Sequence, residues 1–376
     1  MAEFRGIELD DAVLVSERLV LRPWGPADAS RVAEIMQDPS IHRFVAVPNP
    51  YSTEDAHRFV TETATRARTD GTGLECGVVE RASGRLVGSA ALRLSTDPEI
   101  GYWVAGDARG NGYAAEMTAA LARWAFHAGV RRVRLVCDVQ NLASARSALA
   151  AGFCFEGVAR DGFVGGGSDS VPERRADLAR FGRLAGDPPG RVEYAFTPLP
   201  EPGRSDGVLR IRPARAEDAP AFAETDDDVT LRWNFSGHGH APEEIRRTCE
   251  QAGLMWLVGT VAVFAMVEAA SGRVAGSIRL RQAGPPQVGG VGYVVHPDFR
   301  GRGYTTRALR LLSEWAFEVA GFARLELGAK VGHEASLRAA ASAGFEPDGV
   351  RRARLRNADG TFSDELRYAL INPRHA

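Results

Sequence analysis

A set of short motifs occurs twice along the chain, and this duplication restricts the possible folds more than any other feature of the sequence. In the first half the motifs are, in order, Arg18-Leu-Val-Leu-Arg-Pro23, Ser83-Gly-Arg-Leu-Val-Gly-Ser89, Asp107-Ala-Arg-Gly-Asn-Gly-Tyr113 and Ala151-Gly-Phe153. They return as Gly207–Pro213, Ser271–Ser277, Asp298–Tyr304 and Ala343–Phe345, at offsets between 188 and 192 residues. Solenoid repeats have periods of roughly 20–50 residues. The longer period therefore indicates two copies of a whole domain.

Proline and glycine are concentrated between the two copies. The segments Gly186-Asp-Pro-Pro-Gly190 and Thr197–Gly207 have the composition of a semi-extended linker. The sequence therefore predicts an N-terminal domain over residues 1–186, a linker over 187–207 and a C-terminal domain over 208–376.

The composition excludes several classes of protein. With 25% charged and 44% hydrophobic residues the chain is neither disordered nor fibrous, and its net charge of −2 provides no basic field for nucleic acid. Four cysteines are too few and too scattered for a disulfide framework or a zinc site. The first ten residues lack the pattern of a signal peptide, and no apolar run is long enough to span a bilayer. We therefore expect a cytoplasmic protein with neither nucleic acid nor membrane as a partner.

Each copy has the same order of predicted elements. In the first copy the predicted strands are Leu19–Arg22, Glu75–Glu80, Leu86–Leu92, Glu99–Val104, Val133–Cys137 and two at the end, near Cys154–Val158 and Ala176–Phe181. The predicted helices are Ala29–Met36, one that follows Ser52-Thr-Glu-Asp55 and ends before Asp70, Ala114–Ala128, and Leu142–Ala151. This order predicts an α/β fold in which a mixed (α+β) sheet carries helices on both faces.

The turn after strand Glu99–Val104 has the sequence of an anion-binding loop. It contains Gly110 and Gly112, and a helix begins immediately after it. Successive backbone N–H groups can converge on an anion there, and the helix dipole favours negative charge. Glycine is needed because a β-carbon would keep a phosphate away from the backbone.

Three kinds of phosphate-binding turn compete for this pattern. A dinucleotide-binding turn would read Gly110-x-Gly112-x-x-Ala115, with Asp138 after the next strand. In the second copy, however, Lys330 stands where Asp138 does, and strands precede the turn where that fold would begin with it. A Walker loop needs Gly-Lys-Ser/Thr, which the sequence lacks. The third pattern, Arg/Gln-x-x-Gly-x-Gly/Ala, matches Arg109-Gly-Asn-Gly-Tyr-Ala114.

On these residues the chain resembles the GNAT superfamily of acyl-CoA-dependent N-acetyltransferases, in the branch that includes the RimJ/RimL-type ribosomal-protein enzymes. The resemblance covers nearly the whole chain. It rests on Arg18–Trp24, Glu99-Ile-Gly-Tyr-Trp103, Arg109–Glu116, Asn141-Leu-Ala-Ser144 and Ala151-Gly-Phe153. It implies two tandem GNAT domains with acetyl-CoA as cosubstrate and no metal.

The resemblance also assigns residues to the cosubstrate. It implies that the pyrophosphate lies on Arg109, Gly110, Asn111, Gly112, Tyr113 and Ala114. The pantetheine would contact Tyr102, Trp103, Val104 and Asn141, and a backbone N–H near Trp103 or Val104 would face the thioester oxygen. In this family the amine attacks the thioester directly, without an acyl-enzyme.

Two side chains are expected to move protons. Glu99 is the predicted base for the incoming amine, and the alternative is a solvated carboxylate at the strand end. Ser144 is the predicted proton donor to the departing thiolate, because Ala148 stands where many relatives have a tyrosine. Asn141 has the alternative role of capping the helix that follows it.

The second copy departs from the family pattern. Its expected CoA contacts are Val294, Val295, Arg300, Gly301, Arg302, Gly303, Tyr304 and Thr305. Gly290 replaces the predicted base and His333 replaces Asn141, although Ser336 matches Ser144. We expect this copy to retain CoA binding while the N-terminal copy carries out catalysis.

The remaining residues leave the acceptor open. His238 and His240 belong to a loop expected at the acceptor entrance, and their spacing makes a poor metal pair. The four cysteines are interpreted as buried small residues rather than nucleophiles. The acceptor is expected to be an α-amino group of a peptide or protein, or a small-molecule amine such as an antibiotic, and the alternative function is a non-catalytic acyl-CoA sensor. The two copies are expected to form a monomer with a pseudo-twofold, or a dimer of such monomers.

Overall fold

A computed structural model describes residues 9, 12–165, 174–193, 196–197, 199–235, 238–357 and 359–375. The chain divides into two compact units, Met1–Glu193 and Tyr194–Ala376. Phe196 and Leu199, which lie in the predicted linker, are buried in the core of the second unit. No described helix is long and apolar enough to cross a membrane.

The first unit contains the predicted elements with small changes at their ends. Its strands are β1 Leu14–Val15, β2 Leu19–Arg22, β3 Gly73–Glu80, β4 Leu86–Arg93, β5 Glu99–Val104, β6 Arg132–Asp138, β7 Cys154–Gly165 and β8 Arg174–Leu184. Its helices are α1 Ala29–Ile35, α2 Pro39–Phe44, α3 Thr53–Arg58, α4 Ala64–Thr69, α5 Tyr113–His127 and α6 Leu142–Ala150. The sequence did not predict α2, a short helix that begins at a cap made by Asp38.

The second unit repeats this order. Its strands are β9 Arg204–Ser205, β10 Leu209–Pro213, β11 Ala262–Glu268, β12 Val274–Gln282, β13 Val288–Val295, β14 Arg324–Lys330, β15 Glu346–Arg356 and β16 Phe362–Ile371. Its helices are α7 Ala219–Ala223, α8 Asp228–Trp233, α9 Pro242–Leu257, α10 Tyr304–Glu318 and α11 Glu334–Ser342.

Within the described residues, each unit contains one eight-stranded sheet. The strand order is β1-β2-β3-β4-β5-β6-β8-β7 in the first unit, and the corresponding strands follow the same order in the second. The pairs β5–β6 and β13–β14 are parallel and lie within otherwise antiparallel sheets. The predicted mixed sheet is therefore confirmed.

Strand β11 shows that helices cover both faces of the sheet. Alternate residues of a strand point to opposite faces. Phe264 and Met266 lie in a cluster with Trp315 of α10, whereas Val263 and Ala265 lie in a separate cluster with Phe222 of α7. The two faces thus form two cores, each covered by its own helices.

The helix predicted after Ser52 is interrupted in the first unit. Ser52 and Asp55 form the expected capping box, but Phe59–Thr63 is a π-helical turn that joins α3 to α4. The segment Thr53–Thr69 has one residue more than its counterpart α9, which is a continuous α-helix. A π turn accommodates such an extra residue, and these turns are frequent at functional sites.

Candidate active site

Strands β5 and β6 part from each other halfway along their length. Their parallel pairing covers Glu99 and Ile100, and β5 continues alone through Gly101–Val104 on that side. Ala105 donates its N–H to Val87 on β4, so by strand alternation the N–H groups of Tyr102 and Val104 point into the gap. The carbonyl of Trp103 instead points at β4, 2.5 Å from where a β-carbon of Gly88 would lie. Of the two predicted oxyanion donors, Val104 therefore has the N–H that faces the gap.

The glycine turn lies at the open end of this gap. Gly110 has φ of +79° and Gly112 has φ of +76°, a left-handed conformation that favours glycine. A β-carbon on Gly110 would meet no atom within 4 Å, so open space lies over the turn. Helix α5 begins at the next residue, Tyr113, and its first N–H groups point towards the same space. This cradle has the form that a phosphate needs.

The guanidinium of Arg109 braces the turn from behind. It lies 2.8 Å from a carboxylate oxygen of Asp38 and donates to Ser40 at the start of α2. Its Nε also donates to the Val104 carbonyl at 3.2 Å. Arg109, a predicted phosphate ligand, is thus bound to Asp38, Ser40 and β5. The backbone N–H groups of the turn are therefore the donors that face an anion. The Asn111 amide likewise folds back onto the turn by donating to the Ala108 carbonyl.

Arg18 is a cation near the cradle that the sequence analysis did not single out. One of its Nη atoms would lie 3.6 Å from a β-carbon on Gly112, and the other donates to the Asn111 carbonyl. Glu116 on α5 holds Arg18 through a 2.7 Å ion pair. The second unit links the same strand and helix with the opposite polarity, because Asp206, at the position of Ser16, accepts from Arg307, at the position of Glu116, at 2.6 Å.

Tyr102 and Ser144 are joined on the other face of β5. Their hydroxyl oxygens are 2.8 Å apart, and Ser144 donates its backbone N–H to the Asn141 side chain at 3.1 Å. Burial raises the pKa of Tyr102 to about 12. Asn141 therefore caps α6, which is one of its two expected roles, and a protonated tyrosine from the strand lies against Ser144.

Glu99 lies at the closed end of the gap between two arginines. One carboxylate oxygen is 3.1 Å from Arg93 and the other is 2.9 Å from Arg134. Both oxygens of the carboxylate are therefore already engaged by arginines. By strand alternation Gly101 and Trp103 share this face of the sheet, and the Trp103 ring lies 6.2 Å from that of Trp24.

The second unit keeps the gap and the cradle. Strand β13 pairs with β14 only over Val288–Gly290, which leaves Val294 and Val295 beyond the pairing. Gly301 and Gly303 have φ of +75° and +73°, and a β-carbon on either would meet no atom within 4 Å.

The residues around this second cradle have their own partners. Arg300 forms a bidentate bridge to Asp227, with both oxygens at 2.7 Å, and Arg302 lies 3.3 Å from Glu268. Tyr304 also donates to Glu268, as Tyr113 does to Glu80 in the first unit. Ala114 and Thr305 occupy the first turns of α5 and α10.

The acceptor side of the second unit differs from that of the first. His333 makes no capping hydrogen bond and instead stacks on Trp233, with ring centroids 4.5 Å apart and an interplanar angle of 6°. Burial lowers the pKa of His333. The His238 and His240 rings are 6.4 Å apart, and His240 lies 3.3 Å from Asp226. Among the described residues, no group of three or more His, Cys, Asp or Glu could hold a metal ion.

The expectation that all four cysteines are buried is wrong for Cys154. Cys76, Cys137 and Cys249 are buried, and burial raises the pKa of Cys76 to about 11 and of the other two to about 12. Cys154 is exposed, because it begins the outermost strand β7.

Comparison with known proteins places this geometry in a family. The profile of the Acetyltransferase (GNAT) domain matches residues 18–154 and again residues 209–346. The "Probable N-acetyltransferase YjcK" of Bacillus subtilis is 30% identical over 112 residues, which are 29% of this chain and 61% of the relative. The chain thus spans less than two thirds of that relative. The "Putative ribosomal N-acetyltransferase YdaF" of the same organism is 30% identical over 156 residues, which cover 39% of this chain and 84% of the relative.

Solved structures with similar folds include two bacterial proteins. RimJ of Mycobacterium smegmatis, in complex with CoA-disulfide, is 23% identical with a TM-score of 0.41 and covers 48% of this chain and 88% of its own. A GNAT-family acetyltransferase from Bacillus anthracis is 18% identical with a TM-score of 0.41, covering 45% of this chain and 98% of its own. The two profile matches confirm both the tandem duplication and the expected class of acyl-CoA-dependent acetyltransferase. The chain belongs to the GNAT acetyltransferase family and carries two domains of that family in tandem.

Proposed function

We propose that the first unit transfers the acetyl group of acetyl-CoA to a primary amine. The observation that carries this proposal is the continuous arrangement of the parted strands and the glycine turn. The gap beside Gly101–Val104 can pair with the amides of a pantetheine, and the cradle at Gly110–Gly112 can hold the pyrophosphate. Both fit a long, bent cosubstrate that carries a pyrophosphate better than they fit a free phosphate. Because this cosubstrate and the reduced cysteines belong to the cytoplasm, we propose that the reaction takes place there.

The residues of the gap can carry the acyl transfer directly. The Val104 N–H would donate to the thioester oxygen as negative charge develops on it, and one such donor typically contributes about 10²–10³ in rate. The Tyr102–Ser144 pair would protonate the departing thiolate of CoA. The sequence predicts Glu99 as the base for the amine, but two arginines hold its carboxylate oxygens, so this role is tested by substitution. If Glu99→Gln keeps turnover within about threefold of the wild type, Glu99 is not the base.

The acceptor we propose is an α-amino group of a peptide or protein, or an amine of a small molecule such as an antibiotic. The relative YdaF, named as a ribosomal N-acetyltransferase, supports the peptide alternative. A small-molecule amine is supported by the second domain, since a second domain that lacks the base is unusual in an enzyme that modifies ribosomal proteins. The names of the matched relatives describe N-acetyltransferases, which gives no support to the sensor alternative.

The second unit is proposed to bind CoA without turning it over. Its cradle is intact, but Gly290 replaces Glu99 and His333 is stacked against Trp233. Its proposed contribution is therefore structural or regulatory rather than chemical.

Calorimetric titration of acetyl-CoA into paired variants tests the cosubstrate assignment. Gly110→Asp and Gly301→Asp each add a negative charge to one cradle, whereas Gly110→Asn and Gly301→Asn add a side chain of the same shape without charge. Asp and Asn are the side chains that best tolerate a positive φ, and a β-carbon at either position meets no atom within 4 Å. We expect each Asp variant to lose one of two sites by at least about tenfold relative to its Asn control.

Each outcome of the titration decides a part of the proposal. A single site, removed only by Gly110→Asp, would show that the second unit does not bind acetyl-CoA. Absence of binding in the wild type would overturn the cosubstrate and the function with it.

A further inference from the structure

A cavity of about 250 Å³ lies under α4, on the face of the sheet that also carries Glu99 and Trp103. Its lining includes Trp24 after β2, Glu75 on β3, and Thr65, Arg68 and Thr69 on α4. The gap between β5 and β6 and the predicted base Glu99 do not explain this cavity.

Two polar groups in the cavity wall lack partners. The indole N–H of Trp24 is buried and makes no hydrogen bond. Among the described residues, none donates a hydrogen bond to the half-buried carboxylate of Glu75. A buried donor without a partner is costly and is expected only where a ligand or water satisfies it, and the half-buried Glu75 carboxylate lines the same cavity.

Glu75 has the properties of a proton acceptor. Burial raises the pKa of its carboxyl, and the charges of Arg93 on β4 and Arg68 on α4 oppose that rise without cancelling it. Arg68 is itself engaged, since it donates to the Leu9 carbonyl and to the Cys76 sulfur. A carboxylate whose pKa is shifted towards neutrality is a better base than one held in ion pairs.

The strand register places Glu75 in the same row of the sheet as Gly101 on β5. Glu75 pairs with Ala91 on β4, and Ala91 pairs with Gly101 on β5, so the three side-chain positions share one row and one face. With strands about 4.8 Å apart, the Cα atoms of Glu75 and Gly101 are separated by about 10 Å. A glutamate side chain and a bound amine can span this distance. Gly101 contributes no side chain to this path, and the Arg93 guanidinium borders it, with one Nη atom 3.3 Å from where a β-carbon of Gly101 would lie.

The residues at the corresponding positions of the second unit differ from those that line this cavity. Val263 stands in place of Glu75, Ala214 in place of Trp24 and Trp256 in place of Arg68. Val263 and Ala214 belong to an apolar cluster that fills the corresponding face. The helix over that face, α9, is continuous, whereas the first unit has the extra residue and π turn at Phe59–Thr63. The cavity, its polar lining and the π turn therefore occur together in one unit.

We propose that this cavity receives the first residue of the acceptor, where Glu75 takes the proton of its ammonium group and the indole N–H of Trp24 holds the neighbouring carbonyl. This inference rests on the proposed acetyl transfer and names the subsite for its acceptor. The lone donor and the lone acceptor match a compound in which a carbonyl follows the amine, such as an N-terminal residue.

The acetyl transfer needs no reactant besides acetyl-CoA, the acceptor amine and water. The ammonium group gives one proton to Glu75, and the freed lone pair forms the C–N bond at the thioester carbon. As the C–S bond breaks, the second proton passes from nitrogen to water, and the Tyr102–Ser144 pair gives a proton to sulfur and regains one from water. The products are the amide and CoA thiol, and Glu75 returns its proton to water.

Turnover with three probe amines tests this assignment in the full-length protein at saturating acetyl-CoA. L-alaninamide has a protonated amine on the carbon next to a carbonyl. Isopropylamine has a methyl group in place of the carboxamide, and hydroxylamine is already unprotonated at neutral pH. The variants are Glu75→Gln, Glu99→Gln and Trp24→Phe, with Glu54→Gln as the control at an exposed carboxylate. Acetyl-CoA binding is measured for every variant by calorimetry.

We expect Glu75→Gln to lower kcat/KM for L-alaninamide by at least about 100-fold and to leave hydroxylamine turnover within about threefold. Trp24→Phe should raise KM for L-alaninamide about tenfold and leave that for isopropylamine unchanged. If Glu75→Gln lowers turnover of hydroxylamine equally, or if Glu99→Gln alone has the large effect, the assignment of Glu75 is wrong. If the wild type binds acetyl-CoA and acetylates none of the probes, both this inference and the proposed transfer to small amines are overturned. If the wild type does not bind acetyl-CoA, the proposed acetyl transfer itself is overturned, whatever the variants show.

Discussion

The hydroxyl oxygens of Tyr102 and Ser144 lie 2.8 Å apart, and the corresponding pair in the second unit, Tyr293 and Ser336, lies 2.7 Å apart. In both units the tyrosine comes from the parted strand and the serine from the helix behind it. Burial keeps the pKa of Tyr102 at about 12, so its phenol is protonated at neutral pH and can donate. The pair is thus a proton donor beside the gap where a thiolate would form.

Removal of the Tyr102 hydroxyl should slow the release of CoA thiol. Because thiolates are good leaving groups, we expect Tyr102→Phe to lower kcat about tenfold, at or below the lower end of general-acid effects. Ser144→Ala should act on the same step, so the double variant should be no slower than the slower single variant. Tyr293→Phe, the matched change in the second unit, should leave kcat unchanged. A fully additive double variant would contradict a shared proton donor.

Glu75→Gln should stabilise the folded protein at neutral pH but not in acid. Because burial raises the pKa of this carboxyl in the folded state, its contribution to stability is largest when it is protonated and is lost as the pH rises through that pKa. Glu75→Gln should therefore raise Tm at neutral pH, and the gain should disappear in acid. Thermal unfolding of this variant beside Glu54→Gln checks the sign, since the exposed Glu54, in the first turn of α3, should show no gain in Tm. A lower Tm at neutral pH would mean that the Glu75 carboxylate has a stabilising partner.

The bridge between Asp227 and Arg300 should stabilise the second unit except in acid. The Arg300 guanidinium holds the pKa of Asp227 well below its usual range, so the stability it contributes is present above the ordinary pKa of an aspartate and is lost as the pH falls. Asp227→Asn keeps an equally good cap for α8 and removes only the charge. We expect one calorimetric transition to fall by about 2–4 °C at neutral pH and the difference to shrink in acid. An unchanged transition at neutral pH would show that the bridge contributes nothing measurable.

Deletion of Glu62 should convert the π turn into a continuous helix like α9. Removing the extra residue eliminates the wide turn and would displace Phe59, whose ring packs edge-on against Trp24 of the cavity with centroids 5.3 Å apart. We expect acetyl-CoA affinity to stay the same and turnover of L-alaninamide to fall at least tenfold. Glu62→Ala, which keeps the length, is the control and should retain activity. Equal activity in the two variants would separate the π turn from the acceptor site.

The elements around the cradle could be predicted because their signals are local. Gly110 and Gly112 mark the turn by their spacing, and the alternating pattern of Glu99–Val104 gave the strand with its observed ends. The internal duplication supplied a second example of every motif. By contrast, the helix Pro39–Phe44 is too short to produce a recognisable period.

The partners of the charged residues could not be predicted, since they come from distant parts of the chain. Arg109 meets Asp38, 71 positions earlier, and Glu99 meets both Arg93 and Arg134. The acceptor cavity did leave a signal in the sequence. Glu75 is an acidic residue within a buried strand, and the corresponding residue of the second copy is Val263. The extra residue in Thr53–Thr69 was a second signal, visible once the copies are aligned.

The exchanged ion pairs have a consequence for how a duplicated chain folds correctly. In the first unit Arg18 docks on Glu116, whereas in the second unit Asp206 docks on Arg307. If the leading strands of the two copies exchanged helices, Arg18 would meet Arg307 and Asp206 would meet Glu116, and like charges would repel in both places. Two homologous domains in one polypeptide are prone to such misassembly. The opposite polarity of the two salt bridges therefore favours pairing of each leading strand with the helix of its own domain.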